Sequence, residues 1–167
     1  MTSRRATAFV LVALALFGAT TACGSSSKSD NASESGANAD NGVCPFSGST
    51  KPQSQPGSST GSTLTSATPQ TDGCIDNVQL KFSPTVAASK FAYEAGAPVL
   101  VVTLTGAKLG GGLSAGTTQN PTSLNHVKKV VVSTPSGNVK VEITLDEKRP
   151  YVVSASQVPA QLELSIG

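Results

Sequence analysis

Tryptophan is absent from this chain, and His126 is its only histidine. One imidazole cannot make a His cluster for a metal, nor supply a second base for acid–base work. His126 sits beside "VKK" at the start of a strand-like run and reads as a surface residue rather than a catalyst. Tyr93 and Tyr151 are the only tyrosines, so the aromatic sugar platforms of a glycosidase or a lectin are missing. The Gly-x-Ser-x-Gly spacing in "GGLSAG" sits in a glycine-rich loop and lacks the strand-to-helix context of a nucleophile elbow. The glycine-rich "GAKLGGGLSAG" has no Lys after its last Gly, which excludes a P-loop. It reads as a connection rimmed by Leu109 and Leu113, a mobile lip at most. No catalytic residue, metal site or cofactor motif emerges, and the chain reads as non-enzymatic.

Charge is also scarce, at 13% of residues, with 12 Lys and Arg against 10 Asp and Glu. Without Arg4 and Arg5 the two signs would balance. A neutral protein offers nucleic acid no basic field and anionic lipid no polybasic patch. The densest mixture is Asp146, Glu147, Lys148 and Arg149, in "DEKRP". It reads as a solvated turn that blunts a sheet edge, and it is the candidate binding surface.

Long hydrophobic runs are missing as well. "ATAFVLVALALFGA", Ala6–Ala19, follows Arg4 and Arg5 and is too short to be read as a membrane span. A basic n-region before such a run has the form of a signal peptide. Small residues Thr20, Thr21 and Ala22 then lead into Cys23 and Gly24. This stretch resembles the bacterial lipobox, with Thr20 where Leu is usual. The resemblance implies cleavage of residues 1–22, diacylation of Cys23 and a lipid-anchored protein on the outer face of the cell membrane. Two acyl chains, at roughly 0.8 kcal/mol per buried methylene, suffice for stable anchoring.

With Cys23 assigned to lipid, Cys44 and Cys74 remain as one even pair in an exported chain. A structural disulfide follows, worth roughly 3–4 kcal/mol for a loop of that length. Two metal-binding thiolates would want close Cys-x-x-Cys spacing and a nearby His, and have neither. Residues 23–43 carry "GSSSKSDNASESGANADNG", which buries almost nothing and reads as lipid anchor and flexible tether. Residues 44–71 are again rich in Ser, Thr, Gly and Pro and read as a loop tied down by the disulfide.

From residue 72 to 167 apolar residues recur with period two, the signature of half-buried strands. In "NVKVEITL", Val139, Val141, Ile143 and Leu145 share one face; "QLELSI" and "NVQLKF" repeat the pattern. "PVLVVTLTG" is apolar on both sides and suits a central strand, while "HVKKVVVST" and "YVVSAS" supply two more. "TPSGN" has the Pro and Gly of a hairpin turn. Short helical turns are expected only at Thr85–Ser89 and in "SLNHV", and Tyr151 is expected in the core. Six or seven mainly antiparallel strands behind a disordered tether make a small all-β sandwich.

The segments "GCIDNVQLKF", "GAPVLVVTLTGAKLGG" and "VKVEITLDEKRPYVVSASQVPAQLELSIG" resemble, in that order, the AMIN-like domains of actinobacterial lipoproteins and secreted proteins. The chain departs from that pattern in having Asn77 after Asp76, and Gln161 and Ser165 near the end. The resemblance implies two packed sheets over residues 72–167. It also implies a binding or scaffolding role toward peptidoglycan, another envelope polymer or an envelope protein. The alternative is a carrier holding a small apolar ligand between the sheets, which needs a cavity of roughly 300 Å³ or more.

Overall fold

The computed structural model describes residues 44–167. The expected signal peptide (1–22), Cys23 and the tether up to residue 43 lie outside the described residues. Residues 44–167 belong to one compact unit.

Eleven strands are present among the described residues: β1 (Gln53–Gln55), β2 (Thr63–Asp72), β3 (Ile75–Ser83), β4 (Ser89–Tyr93), β5 (Val99–Leu104), β6 (Lys108–Leu109), β7 (Thr118–Gln119), β8 (Val127–Ser133), β9 (Val139–Leu145), β10 (Tyr151–Gln157) and β11 (Ala160–Ile166). They form a five-stranded sheet, β10-β11-β3-β2-β6, and a six-stranded sheet, β1-β4-β5-β9-β8-β7. Every pairing is antiparallel except β2 with β6. The molecule is an all-β sandwich.

Alternation makes the core. In β9 the burial pattern is strictly alternate, and Val139, Val141, Ile143 and Leu145 are each 3% exposed or less. Val78, Leu80 and Phe82 of β3 and Leu162, Leu164 and Ile166 of β11 meet them from the other sheet. At about 25 cal/mol per Å² of apolar surface, each such side chain contributes roughly 1.5–3 kcal/mol on burial. β5 holds the third place in its sheet, as its doubly apolar sequence suggests. Tyr151 is fully buried, its hydroxyl 2.8 Å from the Lys51 carbonyl oxygen and 3.3 Å from that of Phe91. Burial and the neighbouring Tyr93 push the Tyr151 phenol up to about 12. The two tyrosine rings meet edge to face, centroids 6.0 Å apart.

Three expectations need correction. Residues 44–71 are not simply a loop: they hold β1 and most of β2, with Leu64 and Ala67 in the core. A bulge between Leu64 and Ser66 turns both apolar residues inward although they are three apart. Pro69 is tolerated because β6 covers only Thr63 and Leu64, leaving the rest of that side of β2 open. The helical turn expected at Thr85–Ser89 is extended chain leading into β4, and "SLNHV" is irregular before β8. The single helical element among the described residues is a 3-10 turn at Pro135–Gly137, inside the expected "TPSGN" hairpin. There Ser136 and Gly137 have φ of 50° and 80°, as in a type I′ turn.

The sandwich has two unlike ends. At one lie the β2–β3, β4–β5 and β9–β10 turns, together with Cys44 and Gly167. Cys44 is bonded to Cys74 in the β2–β3 turn, with Cα atoms 6.1 Å apart. Beyond Cys44 the chain runs to Ser49, which exchanges two 3.1 Å backbone hydrogen bonds with Tyr151. Between them Phe46 lies so close to Gly167 that a Cβ there would run into its ring. At the other end are the β3–β4, β5–β6, β8–β9 and β10–β11 connections and residues 56–62.

The seams between the sheets are closed by glutamine side chains. Gln53 and Gln55 of β1 donate to the Tyr151 and Val153 carbonyls of β10 at 3.2 and 3.3 Å. At the opposite seam, Gln119 of β7 donates to the Ala67 carbonyl of β2 at 2.6 Å. These amides occupy backbone acceptors that an edge strand would otherwise present to another chain.

Candidate functional site

The disulfide end collects most of the charged side chains, and one of them is fully buried. Asp76 shares the inward parity of Val78, Leu80 and Phe82 and is 0% exposed. Its Oδ2 accepts from the backbone N–H of His126 at 2.6 Å and of Val127 at 2.9 Å. Oδ1 accepts from the Asn125 N–H at 3.1 Å, and the Asn125 amide also bonds Thr71 and the Gly73 carbonyl. Burial alone would raise the Asp76 pKa. The donated hydrogen bonds from Val127, His126, Asn125 and Thr71 outweigh it and hold the carboxyl below its usual range. Asp76 thereby clamps β3 of one sheet to the start of β8 in the other.

The four residues of the "DEKR" turn lie beside this clamp. Asp146 Oδ2 is 3.2 Å from both His126 Nδ1 and an Arg149 guanidinium nitrogen, and Arg149 also reaches Glu147 at 2.8 Å. Burial raises the Asp146 pKa, but Arg149, His126 and the Glu147 N–H together hold it at about 2. Lys148 places its ammonium 5.7 Å from the Tyr93 ring centroid. The Tyr93 hydroxyl donates to the Arg149 carbonyl at 2.7 Å and accepts from the Arg149 N–H at 3.1 Å. The turn therefore comes together as a charged cluster, as read from the sequence, and most of its charge is already engaged within it.

His126 joins this network, half-buried, through Asp146. Among the described residues no serine or threonine hydroxyl is hydrogen-bonded to its ring, and no three His, Cys, Asp or Glu side chains converge as a metal-ligand set. Leu109 and Leu113 of the glycine-rich connection pack against the core, pinning that segment along the β2 edge, where Gly110 N–H donates to the Leu64 carbonyl at 3.0 Å.

A second surface was not legible as a unit. The solvent face of the five-stranded sheet carries registered rows rich in hydroxyls and amides, with Glu163 and the exposed Val152 among them. Ser154, Glu163, Gln79 and Thr68 stand side by side across β10, β11, β3 and β2. In the row toward the disulfide end, Ser165, Asn77 and Gln70 are neighbours. Asn77 faces outward by parity yet is only 8% exposed, and its Oδ1 has no hydrogen-bond partner among the described residues. Three of these strands, β3, β10 and β11, are legible in the sequence, whereas β2 reads there as loop. The outer face of the other sheet differs: there Lys140 is tied to Glu142 at 2.8 Å and Glu94 at 3.4 Å.

No protein-family model matches the chain, and neither curated proteins nor solved structures supply a match.

Proposed function

We propose that this protein is a non-enzymatic module of the cell envelope, held to the outer face of the membrane through a lipidated Cys23, that binds wall polymer or scaffolds envelope proteins. The reading keeps the resemblance to lipoproteins with an AMIN-like domain. What carries it is the outer face of the five-stranded sheet, whose hydroxyls and amides suit a polymer rich in the same groups. Such a face binds by many weak hydrogen bonds, each worth about 0.5–1.5 kcal/mol net. A carrier has less support, because the interior is filled by Tyr151, Phe91 and a layer of Leu, Val and Ile at or near zero exposure.

The test is retention on purified cell wall. Residues 39–167 should be retained, and Gln79→Ala with Thr68→Ala should weaken retention about tenfold. Neutralising Glu147 and Lys148 should change it by less than twofold, because Glu147 is paired with Arg149 and Lys148 lies over the Tyr93 ring. Absence of retention for the parent protein would remove the wall-binding reading.

A further inference from the structure

Formal charge balance conceals a segregated distribution. The five connections at the end opposite the disulfide, residues 56–62, 84–88, 105–107, 134–138 and 158–159, contain no Asp, Glu, Lys, Arg or His. The charged residues within three positions of these connections are all lysines, Lys81 on β3, Lys90 on β4, Lys108 on β6 and Lys140 on β9, while along β11 the first charge is Glu163, one position deeper. Lys140 is engaged by Glu142 and Glu94. Lys81, Lys90 and Lys108 are exposed and in no ion pair among the described residues. They stand on three sides of the end: one sheet face, the other sheet face, and the seam strand. The acidic residues of the described chain lie at mid-sheet, as Glu142 and Glu163, or at the disulfide end.

At the same end, in the β10–β11 turn, Val158 is 91% exposed. Pro56, Pro84, Pro135 and Pro159, in the connections of that end, are exposed as well. An uncharged end with an apolar tip and a ring of unpaired lysines behind it matches the layering of an anionic bilayer surface. The tip meets the acyl boundary, hydroxyls and amides meet the headgroups, and ammonium groups meet the phosphates.

We propose that this end docks, reversibly and end-on, on an anionic membrane surface. End-on docking stands the strands upright and leaves the hydroxyl-rich sheet face free. Each lysine near such a surface strengthens attachment about fivefold, and the tip adds a few-fold more. The contact is weak alone, with half-binding near millimolar lipid. The proposed lipid anchor would make it intramolecular and so amplify it.

Vesicle flotation tests this with residues 39–167, which include both sheets and the disulfide. Binding should appear on phosphatidylglycerol–phosphatidylcholine vesicles at 25 mM NaCl, vanish at 300 mM, and be absent on phosphatidylcholine alone. The Lys81→Gln, Lys90→Gln, Lys108→Gln triple variant should bind at least thirtyfold more weakly. The charge-matched Lys51→Gln, Lys128→Gln, Lys129→Gln triple, at the other end, should stay within threefold. Val158→Ser should weaken binding two- to fivefold. Equal losses in the two triples would reduce the effect to diffuse charge and overturn the proposal. So would no binding to anionic vesicles, or binding only to a soluble poly(glycerol phosphate). Wall retention without flotation would sink this inference and leave the function proposed above intact.

Discussion

The two ends of this sandwich close the same hydrophobic core by different chemistry. At the disulfide end a buried carboxylate, an ion-pair cluster and a covalent bridge hold turns and strap together. At the hairpin end there is no charge in the connections, and closure depends on backbone geometry. The type I′ turn at Ser136–Gly137 is one such device. Gly106 is another, at φ 66°, where any side chain would strike the Ser59 carbonyl. One end is therefore sensitive to acid and reductant, and the other to steric change at a few backbone positions.

The largest expected break of that contrast is chemical reduction. Cys44–Cys74 closes a loop with a sequence separation of 30. On the chain-entropy view the bridge stabilises by roughly 3–4 kcal/mol. Thermal melts with and without dithiothreitol should differ by more than 10 °C. Amide exchange should speed up first at Ser49 and Tyr151, where the strap is bonded. Equal midpoints would show that the strap is redundant.

Next in size is the carboxylate clamp. In Asp76→Asn one oxygen becomes an NH₂ facing backbone donors, leaving buried N–H groups of residues 125–127 without partners. The cost should be about 3 kcal/mol. The pH dependence has a definite sign. Asp76 and Asp146 both titrate below the ordinary 3.8 in the folded protein. Their contribution is fully present above about pH 4 and is lost as pH falls through the folded values, toward about 2 for Asp146. The melting midpoint should be level from pH 5 to 8 and fall steeply between 4 and 2. Asp76→Asn should flatten that fall, and an unchanged acid slope would dismiss the clamp.

Much of this fold was written in the sequence where alternation is unbroken, as in β9, β11 and β3. Where bulges interrupt it the signal fails. Leu64 and Ala67, three apart, read as loop because the residue that re-phases them, in the Leu64–Ser66 interval, is visible only once β3 is paired alongside. β8 has the same irregularity between Val127 and Lys129, yet its three consecutive valines still announced a strand. Asp76 was legible in principle: it carries a charge on the parity of Val78, Leu80 and Phe82, so a core-facing carboxylate needed donors. Those donors come from residues 125–127, about fifty positions away, and no local pattern names them. The lysine ring was illegible for a related reason. Residues 81, 90 and 108 become neighbours of one end only through strand direction, which net charge does not contain.

The smallest effect belongs to the hairpin end. Ser136 adopts φ 50°, a region that costs a residue with a Cβ roughly 1–2 kcal/mol. Asparagine bears that conformation better, and Asn-Gly is the favoured pair for a type I′ turn. Ser136→Asn should therefore raise stability by about 0.5 kcal/mol, whereas Gly137→Ala, at φ 80°, should lower it by about 1 kcal/mol. Neither change touches a titrating group, so both variants should keep the parent's acid slope between pH 4 and 2 while their midpoints at pH 7 move apart. Denaturant melts at pH 7 and pH 3 resolve this. If Ser136→Asn altered the acid slope, the two ends would be coupled through the sheets rather than closed separately.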